Sequence, residues 1–304
     1  DARRLREPTM LLELLVVVAA LLAIAYFFLF KAPPKAFGDG KRPVKLAVPI
    51  LEKTQLSHDT IKVSLGLPSG SHVLGLPCGK HLTVSATVKG AAVSRAYTPT
   101  SDGMRRKGSV DLVLKVYKPL APRFPNGGVM SQYIESLKVG QTINIRGPMG
   151  RITYQGGGVF NIRRKGVPRV ETQHIGMISG GTGITPMLQI INEVIQDPND
   201  MTSMSLLFAN KSVDDILVRE ELEASKKKAE KMGKTFNLHY TLDKAPADWK
   251  YSQGFVDDAM ISKTMPSAGE NPIILFCGPP VMWERAVQPN LDKLGYEENR
   301  CLNF

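Results

Sequence analysis

Ile178–Pro186 reads ISGGTGITP, and the segments on either side of it decide the fold. HIGMIS (His174–Ser179) is an apolar run of strand length, and PMLQIINEVIQ (Pro186–Gln196) carries apolar residues at helical spacing. Strand, glycine turn and helix begin a right-handed parallel crossover. The turn fits neither common phosphate fingerprint. No Gly-Lys-Ser/Thr follows it, and counted from Gly181 the third glycine slot of a G-x-G-x-x-G holds Pro186. Thr185 is placed to cap the helix, with Pro186 at its first position. The glycines let an anionic or planar ligand approach a positive helix end. A tight turn without a ligand would use the same residues.

The alternation continues downstream. SMSLLFA leads into VREELEASKKKAEKM, FNLHYTL into a loop and FVDDAMI, and PIILFC into PVMWERAVQPNLDKL, before RCLNF closes the chain. This predicts a parallel sheet whose ligand crevice lies at the carboxyl ends of its strands. Gly180, Gly181, Thr182, Gly183 and Thr185 fall there after the first strand, Asp243 after the third, and Cys277, Gly278 and Pro279 after the fourth. A carboxylate at Asp243 can accept from a ribose 2′-hydroxyl and repel a 2′-phosphate; an ordinary turn aspartate fits the position equally. For Cys277 the plain reading is a small buried thiol.

Upstream, from Lys45 to Arg146, the period is two. KLAVPILEKTQL, TIKVSLGL, KHLTVSATV, SRAYTP, VDLVLKVY and TINIRG read as six strands with one short helix, MSQYIESL, which predicts a small closed antiparallel barrel. The fold is therefore expected to be α/β overall, an antiparallel barrel followed by a parallel-sheet domain. The expected boundaries are 1–43 for an N-terminal segment, 44–148 for the barrel, 149–172 for a linker and 173–304 for the parallel domain. RAYTP (Arg95–Pro99) ends a barrel strand with a guanidinium, a phenol and a hydroxyl, a set that suits a diphosphate beside an aromatic face. FPNGGVMSQY (Phe124–Tyr133) opens a helix on a glycine pair, with Ser131 free to bond an anion. One helix-terminus anion site in each domain is what a dinucleotide with an AMP moiety at each would use. In VDLVLKVY, alternation puts Asp111, Val113, Lys115 and Tyr117 on one face; a lysine there snorkels unless an anion lies against it.

Composition supports two units with different electrostatic tasks. Of 304 residues 43% are hydrophobic and 22% charged, and the net charge is +11. Residues 43–170 hold 19 Lys+Arg against 5 Asp+Glu, a net +14, while residues 171–304 hold 13 against 19, a net −6. Cys78, Cys277 and Cys301 have no metal or cluster spacing, and an odd number of scattered thiols argues against a disulfide framework. Leu14–Phe30 is an unbroken apolar run whose 17 residues would span about 26 Å as a helix, enough for a thin bilayer; a cleaved signal peptide is the alternative, against which stand the length of the run and LFKAPP, a poor cleavage site. Arg3, Arg4 and Arg6 precede it and Lys31, Lys35, Lys41 and Arg42 follow it. Starting from Met10, the basic bias would lie on the C-terminal side and leave the body of the protein in the cytosol.

Taken in order, RAYTP, GGVMS, GGTGITPM, LLFANKSVDDILVREEL and CGPPVM resemble the NADH–cytochrome b5 reductases, and the resemblance runs from about Lys45 to Phe304. It implies an FAD-binding barrel coupled to an NADH-binding domain. Arg95, Ala96, Tyr97, Thr98, Val113, Lys115, Tyr117, Gly128, Val129, Met130 and Ser131 would then hold FAD or sit beside it. Gly180, Gly181, Thr182, Gly183, Thr185, Asp243, Cys277, Gly278 and Pro279 would line the NADH side. Thr98 and His81 match a pair that relays a proton near the flavin, and Lys115 and Cys277 would also stand at the reacting centre. Many relatives have lysine where this chain has Val129, which removes one basic group from the face that meets the haem protein. The resemblance implies cytochrome b5 or a similar acidic haem protein as electron acceptor. It also implies an N-terminal membrane helix at the endoplasmic reticulum or outer mitochondrial membrane, and no nucleic-acid partner. The reductase module of nitrate reductases is the nearest alternative, with another haem or a quinone as acceptor; a tether that keeps the fold without the chemistry is a third reading.

Overall fold

The computed structural model describes residues 12–21, 32–122, 124–163 and 169–304. Residues 12–21 form an exposed helix, α1; the remainder of the apolar run, residues 22–30, lies outside the described residues. Among the described residues no helix is long and apolar enough to cross a membrane. Lys35–Phe304 is a compact unit of its own and carries everything that follows.

Its first half is a six-stranded antiparallel sheet of β1 (Val44–Ser57), β2 (Thr60–Gly66), β3 (His81–Val88), β4 (Ala91–Tyr97), β5 (Ser109–Lys115) and β6 (Thr142–Met149). The order is β4-β3-β6-β1-β2-β5. Alternate residues turn inward, so Ile50, Val63, Leu65, Leu82, Val84, Leu112, Leu114, Ile143 and Ile145 share one core. β4 and β5 are edges, so the sheet is a half-barrel and not the closed ring expected from six strands. The core is completed by other means: Phe37 from the preceding segment, and Met130 and Ile134 from helix α2 (Val129–Ser136), which packs against β3 and β4.

The stretch expected as a linker is not one. It folds into a three-stranded antiparallel sheet of β7 (Ile152–Tyr154), β8 (Val159–Ile162) and β9 (Arg169–Glu171). Gly156, Gly157 and Gly158 turn β7 into β8 with positive φ, and at Gly158 a Cβ would lie 1.7 Å from the Thr172 carbonyl oxygen. Ile152, Tyr154, Phe160, Ile162 and Val170 are buried in the core of the second half. The Tyr154 hydroxyl donates to Asp200 at 2.5 Å and anchors this sheet to the parallel domain.

The second half has strands in the order β13-β12-β11-β10-β14-β15, all parallel. They are β10 (His174–Gly180), β11 (Ser203–Asn210), β12 (Phe236–Leu242), β13 (Ser252–Gln253), β14 (Ile273–Cys277) and β15 (Cys301–Asn303). Helices α3 (Ile184–Gln196) and α4 (Arg219–Lys231) cover one face. Helix α5 (Asp258–Thr264) and the segment α6 (Pro280–Met282), a π turn (Trp283–Val287) and α7 (Gln288–Lys293) cover the other. Such two-sided cover accounts for the nearly continuous apolar strands.

The end of β10 and the end of β14 approach too closely for side chains. A Cβ on Gly183 would lie 1.9 Å from the Cys277 carbonyl oxygen, whereas one on Gly181 would meet nothing within 4 Å. Gly181 is needed instead for its φ of 52°. Two glycines separated by one residue thus serve different constraints. Gly183→Ala should cost about 3 kcal/mol through overpacking against backbone, and Gly181→Ala about 1 kcal/mol through its left-handed backbone. Urea unfolding of the two variants reads the difference.

Candidate active site

Each half presents a glycine turn at a helix start, and the fold brings the two halves' sites together. β5 packs against the Gly181–Gly183 turn, so the face of β5 that carries Val113 and Lys115 adjoins the carboxyl end of the parallel sheet. Three further contacts join the halves. Arg105 makes a bidentate pair with Glu193 of α3, both bonds at 2.8 Å, and the Gln189 side chain accepts from the Gly79 amide at 2.6 Å. Lys115 bonds Asp215, in the short turn after β11, at 2.6 Å and Asp59 at 2.9 Å. None of Arg105, Gln189, Glu193 and Asp215 stood out in the sequence, because each sits in an ordinary polar context until the halves meet.

On the half-barrel, Arg95 is exposed near the end of edge strand β4, and its guanidinium bonds only the neighbouring Ser94 carbonyl. Among the described residues it has no carboxylate partner. Ala96 is exposed beside it and Tyr97 is half-buried, its phenol pushed up to about 12 by burial. Tyr117 is 44% exposed, and the Gly127–Gly128 turn lies against it: a Cβ on Gly127 would lie 2.5 Å from the Tyr117 carbonyl oxygen. α2 then begins at Val129 with Gly128 as its cap residue, so the first amides of this helix have no partner within it. Ser131 departs from expectation. Its hydroxyl is buried, donates to the Gly128 carbonyl at 2.9 Å and accepts from the Tyr117 amide at 3.2 Å, so it braces the turn and is not free. Met130 is buried in the core beneath it.

His81 and Thr98 are brought to one end of the β3–β4 pair, since Leu82 is opposite Tyr97, but no hydrogen bond joins them. The His81 ring is half-buried against Gly150, where a Cβ would lie 3.1 Å from Nδ1. Burial, then the nearby Lys80 ammonium, lower its pKa.

On the parallel sheet, Thr185 also departs from expectation. The chain turns earlier than its sequence suggests, through a 3-10 turn at Gly181–Gly183, and α3 starts at Ile184. Thr185 therefore lies inside the first turn, buried, with its hydroxyl donating to the Thr182 carbonyl at 3.2 Å and no capping bond made. Gly180, Gly278 and Pro279 pack together: a Cβ on Gly180 would lie 3.0 Å from Pro279, and one on Gly278 3.2 Å from the Gly180 nitrogen. Cys277, opposite Ser179 in the sheet, has its thiol pushed up to about 11 by burial and stays protonated at neutral pH. Asp243 is exposed just beyond β12, its amide bonded to the Asn210 carbonyl at 3.0 Å and its carboxylate without a partner among the described residues. Phe255 is a residue the sequence reading missed. It is 80% exposed, and the preceding Gly254 amide bonds the Leu242 carbonyl at 2.9 Å, which brings the backbone at Phe255 alongside that at Asp243. In the sequence, Phe255 passes for the first apolar residue of a helix.

The comparisons with known proteins agree with this geometry. Residues 47–154 match the oxidoreductase FAD-binding domain family and residues 177–288 the oxidoreductase NAD-binding domain family, which defines a flavin oxidoreductase that uses a nicotinamide nucleotide. NADH-cytochrome b5 reductase 2 of Xenopus laevis is 49% identical over 296 residues, covering 94% of this chain and 98% of the relative. NADH-cytochrome b5 reductase 3 of Mus musculus is 49% identical over 86% of this chain and 87% of its own length. The cytochrome b5 reductase domain of Ulva prolifera nitrate reductase superposes with a TM-score of 0.80 at 38% identity, over 86% of this chain and 97% of that domain. The chain belongs to the NADH–cytochrome b5 reductase family and is an NADH-dependent oxidoreductase with FAD- and NAD-binding domains.

The lowered pKa of His81 makes a stability prediction. Below its ordinary value of 6.5 the unfolded chain takes up the proton before the folded one does, so this residue's contribution is lost as pH falls through that range. His81→Gln should therefore flatten the decline in urea stability between about pH 7 and pH 5.

Proposed function

We propose that this enzyme passes electrons from NADH through FAD to an acidic haem protein of the cytochrome b5 kind. The observation that carries the reading is the packing of β5 against the Gly181–Gly183 turn, which supports a flavin on the half-barrel next to a nicotinamide nucleotide at the carboxyl end of the parallel sheet.

The residues present fit FAD. Among the described residues Arg95 is a cation without a carboxylate partner and the start of α2 has no side-chain cap, and Tyr97 and Tyr117 offer aromatic faces. Bound FAD accepts a hydride and releases its two electrons singly, the conversion needed between a nicotinamide and a haem. Arg95 and the α2 amides would hold its diphosphate, with Ala96, Thr98, Val113, Gly128, Val129 and Met130 around it and Ser131 bracing the turn. His81 and Thr98 would hold a proton at the ring, with His81 neutral at physiological pH. Gly180–Gly183, Gly278 and Pro279 would let NADH lie close to the backbone, with Cys277 a neutral wall of the crevice. Asp243 would take the adenosine 2′-hydroxyl and Phe255 would stack on the adenine.

The net +14 of residues 43–170 favours an acidic partner. Lys89 and Lys138 are exposed, whereas Lys80 is partly withdrawn, bonding the Gly150 carbonyl at 2.9 Å. The apolar Leu14–Phe30 run would hold the enzyme at an endoplasmic-reticulum or outer mitochondrial surface, with both catalytic lobes in the cytosol.

Anaerobic NADH should bleach the flavin of the purified protein, and the reduced enzyme should reduce cytochrome b5. Raising salt should cut turnover with cytochrome b5 several-fold, because screening shortens to about 10 Å at 0.1 M, and should leave turnover with a neutral quinone nearly unchanged. Equal salt effects on both acceptors would count against an acidic haem partner. Asp243→Thr should narrow the preference for NADH over NADPH mainly by admitting NADPH; an unchanged ratio would make Asp243 a turn residue only.

A further inference from the structure

Three independent features meet in the segment 211–218, between β11 and α4, and the reaction as described uses none of them. At its root, Asn210 is buried with neither its carboxamide oxygen nor its nitrogen hydrogen-bonded. At its far end, Val218 sits at φ 50° and ψ 30°, a left-handed conformation that a β-branched side chain opposes. In the middle, Asp215 is clamped. One carboxylate oxygen takes the Lys115 ammonium at 2.6 Å and the other accepts from the Ser212 hydroxyl at 2.7 Å. An unsatisfied buried amide and a strained backbone are unfavourable locally, so the segment is kept in this arrangement by contacts elsewhere. Among the described residues, the hydrogen bond that holds it to the other lobe is the pair with Lys115, beside His58 and Asp59.

Lys115 is also the cation on the β5 face that adjoins the Gly181–Gly183 turn, the place proposed above for the dinucleotide. A diphosphate carries more charge than a carboxylate and attracts the same ammonium. The two anions compete for it.

We propose that Asp215 is a positioning residue that holds Lys115 in the nucleotide-free enzyme and releases it to the diphosphate of NADH. The inference rests on the proposed placement of NADH at this turn. Asp59, on the half-barrel itself, remains bonded to Lys115 at 2.9 Å and keeps the ammonium near the site when Asp215 lets go. The segment is then free to relax at Val218 and to satisfy Asn210. No bond is made or broken in this exchange; one ion pair replaces another.

Competition has a direction that a merely structural bridge does not. In Asp215→Asn the competitor is neutral, so the KM for NADH should fall by about threefold to tenfold, while the Tm of the flavin-loaded, nucleotide-free enzyme falls. Asp215→Glu should restore both values towards wild type. Glu193→Gln breaks the Arg105–Glu193 pair between the lobes without touching Lys115, and it should lower Tm with KM unchanged. Lys115→Met should raise the KM for NADH. If Lys115→Met raises KM but Asp215→Asn leaves it unchanged or raises it too, the inference is overturned and the nucleotide placement stands. If Lys115→Met leaves KM unchanged, the placement itself fails and the inference with it. Should Asp215→Asn not fold, Ser212→Ala loosens the same carboxylate and should lower KM by a smaller factor; an unchanged or higher KM in that variant overturns the proposal as well.

Discussion

The backbone of β14 passes so near the turn after β10 that no side chain fits between them. Gly180, Gly183 and Gly278 all stand at that approach, and at Gly183 even a methyl would enter the Cys277 carbonyl. Because the turn is pulled in, α3 starts at Ile184, and its first turn follows directly on the strand end. One face of α3 then fills the second core through Met187, Leu188 and Ile191, and Gln189 and Glu193 reach the half-barrel. A single steric constraint thus shapes the nucleotide crevice and also sets the register of the contact between lobes.

Much of this was legible in the sequence because it depends on period. The alternation of HLTVSATV and the apolar runs HIGMIS and PIILFC follow from which faces are buried, and burial is written in residue type. The order of strands and helices followed from the same signal. What was not legible depends on close three-dimensional detail. Met149–Arg169 looked like a linker because its strands are three or four residues long and its centre is three glycines, yet Ile152, Tyr154, Phe160 and Ile162 alternate well enough to line the second core. Thr185 lost its expected cap because a 3-10 turn moved the helix start. Ser131 lost its expected freedom because the Gly128 carbonyl is in reach of its hydroxyl. Phe255 was hidden because exposure of a single aromatic leaves no trace in a pattern.

The division of charge has a nearer use than attracting a partner. In the two ion pairs that cross between the lobes among the described residues, the cation comes from the basic half-barrel and the carboxylate from the acidic parallel domain: Arg105 with Glu193, Lys115 with Asp215. Partly exposed pairs contribute little net stability, on the order of 1 kcal/mol or less each. They are poor glue and good guides. Apolar packing adds to them: Cys78, from the loop before β3, is buried in the second half's core with Ile152, Tyr154, Phe160, Ile175 and Met187.

That distinction bears on how such an enzyme can bind and release a nucleotide at every turnover without coming apart. An interface whose cohesion is apolar and whose alignment is ionic can exchange its ionic contacts while the packing stays. Burial makes the exchange selective. Burial alone would lower the Lys115 ammonium, yet the hydrogen bonds it donates to Asp215 and Asp59 raise it above its ordinary value, so it is charged in this arrangement. Asp215, held below the usual carboxylate range by Lys115 and Ser212 against the opposing effect of burial, is equally committed to its charge. Two charged groups held together in this way can exchange partners. A dinucleotide that brings its own diphosphate supplies the new partner at the moment it arrives, and its departure leaves Asp215 as the nearest anion in the opposite lobe.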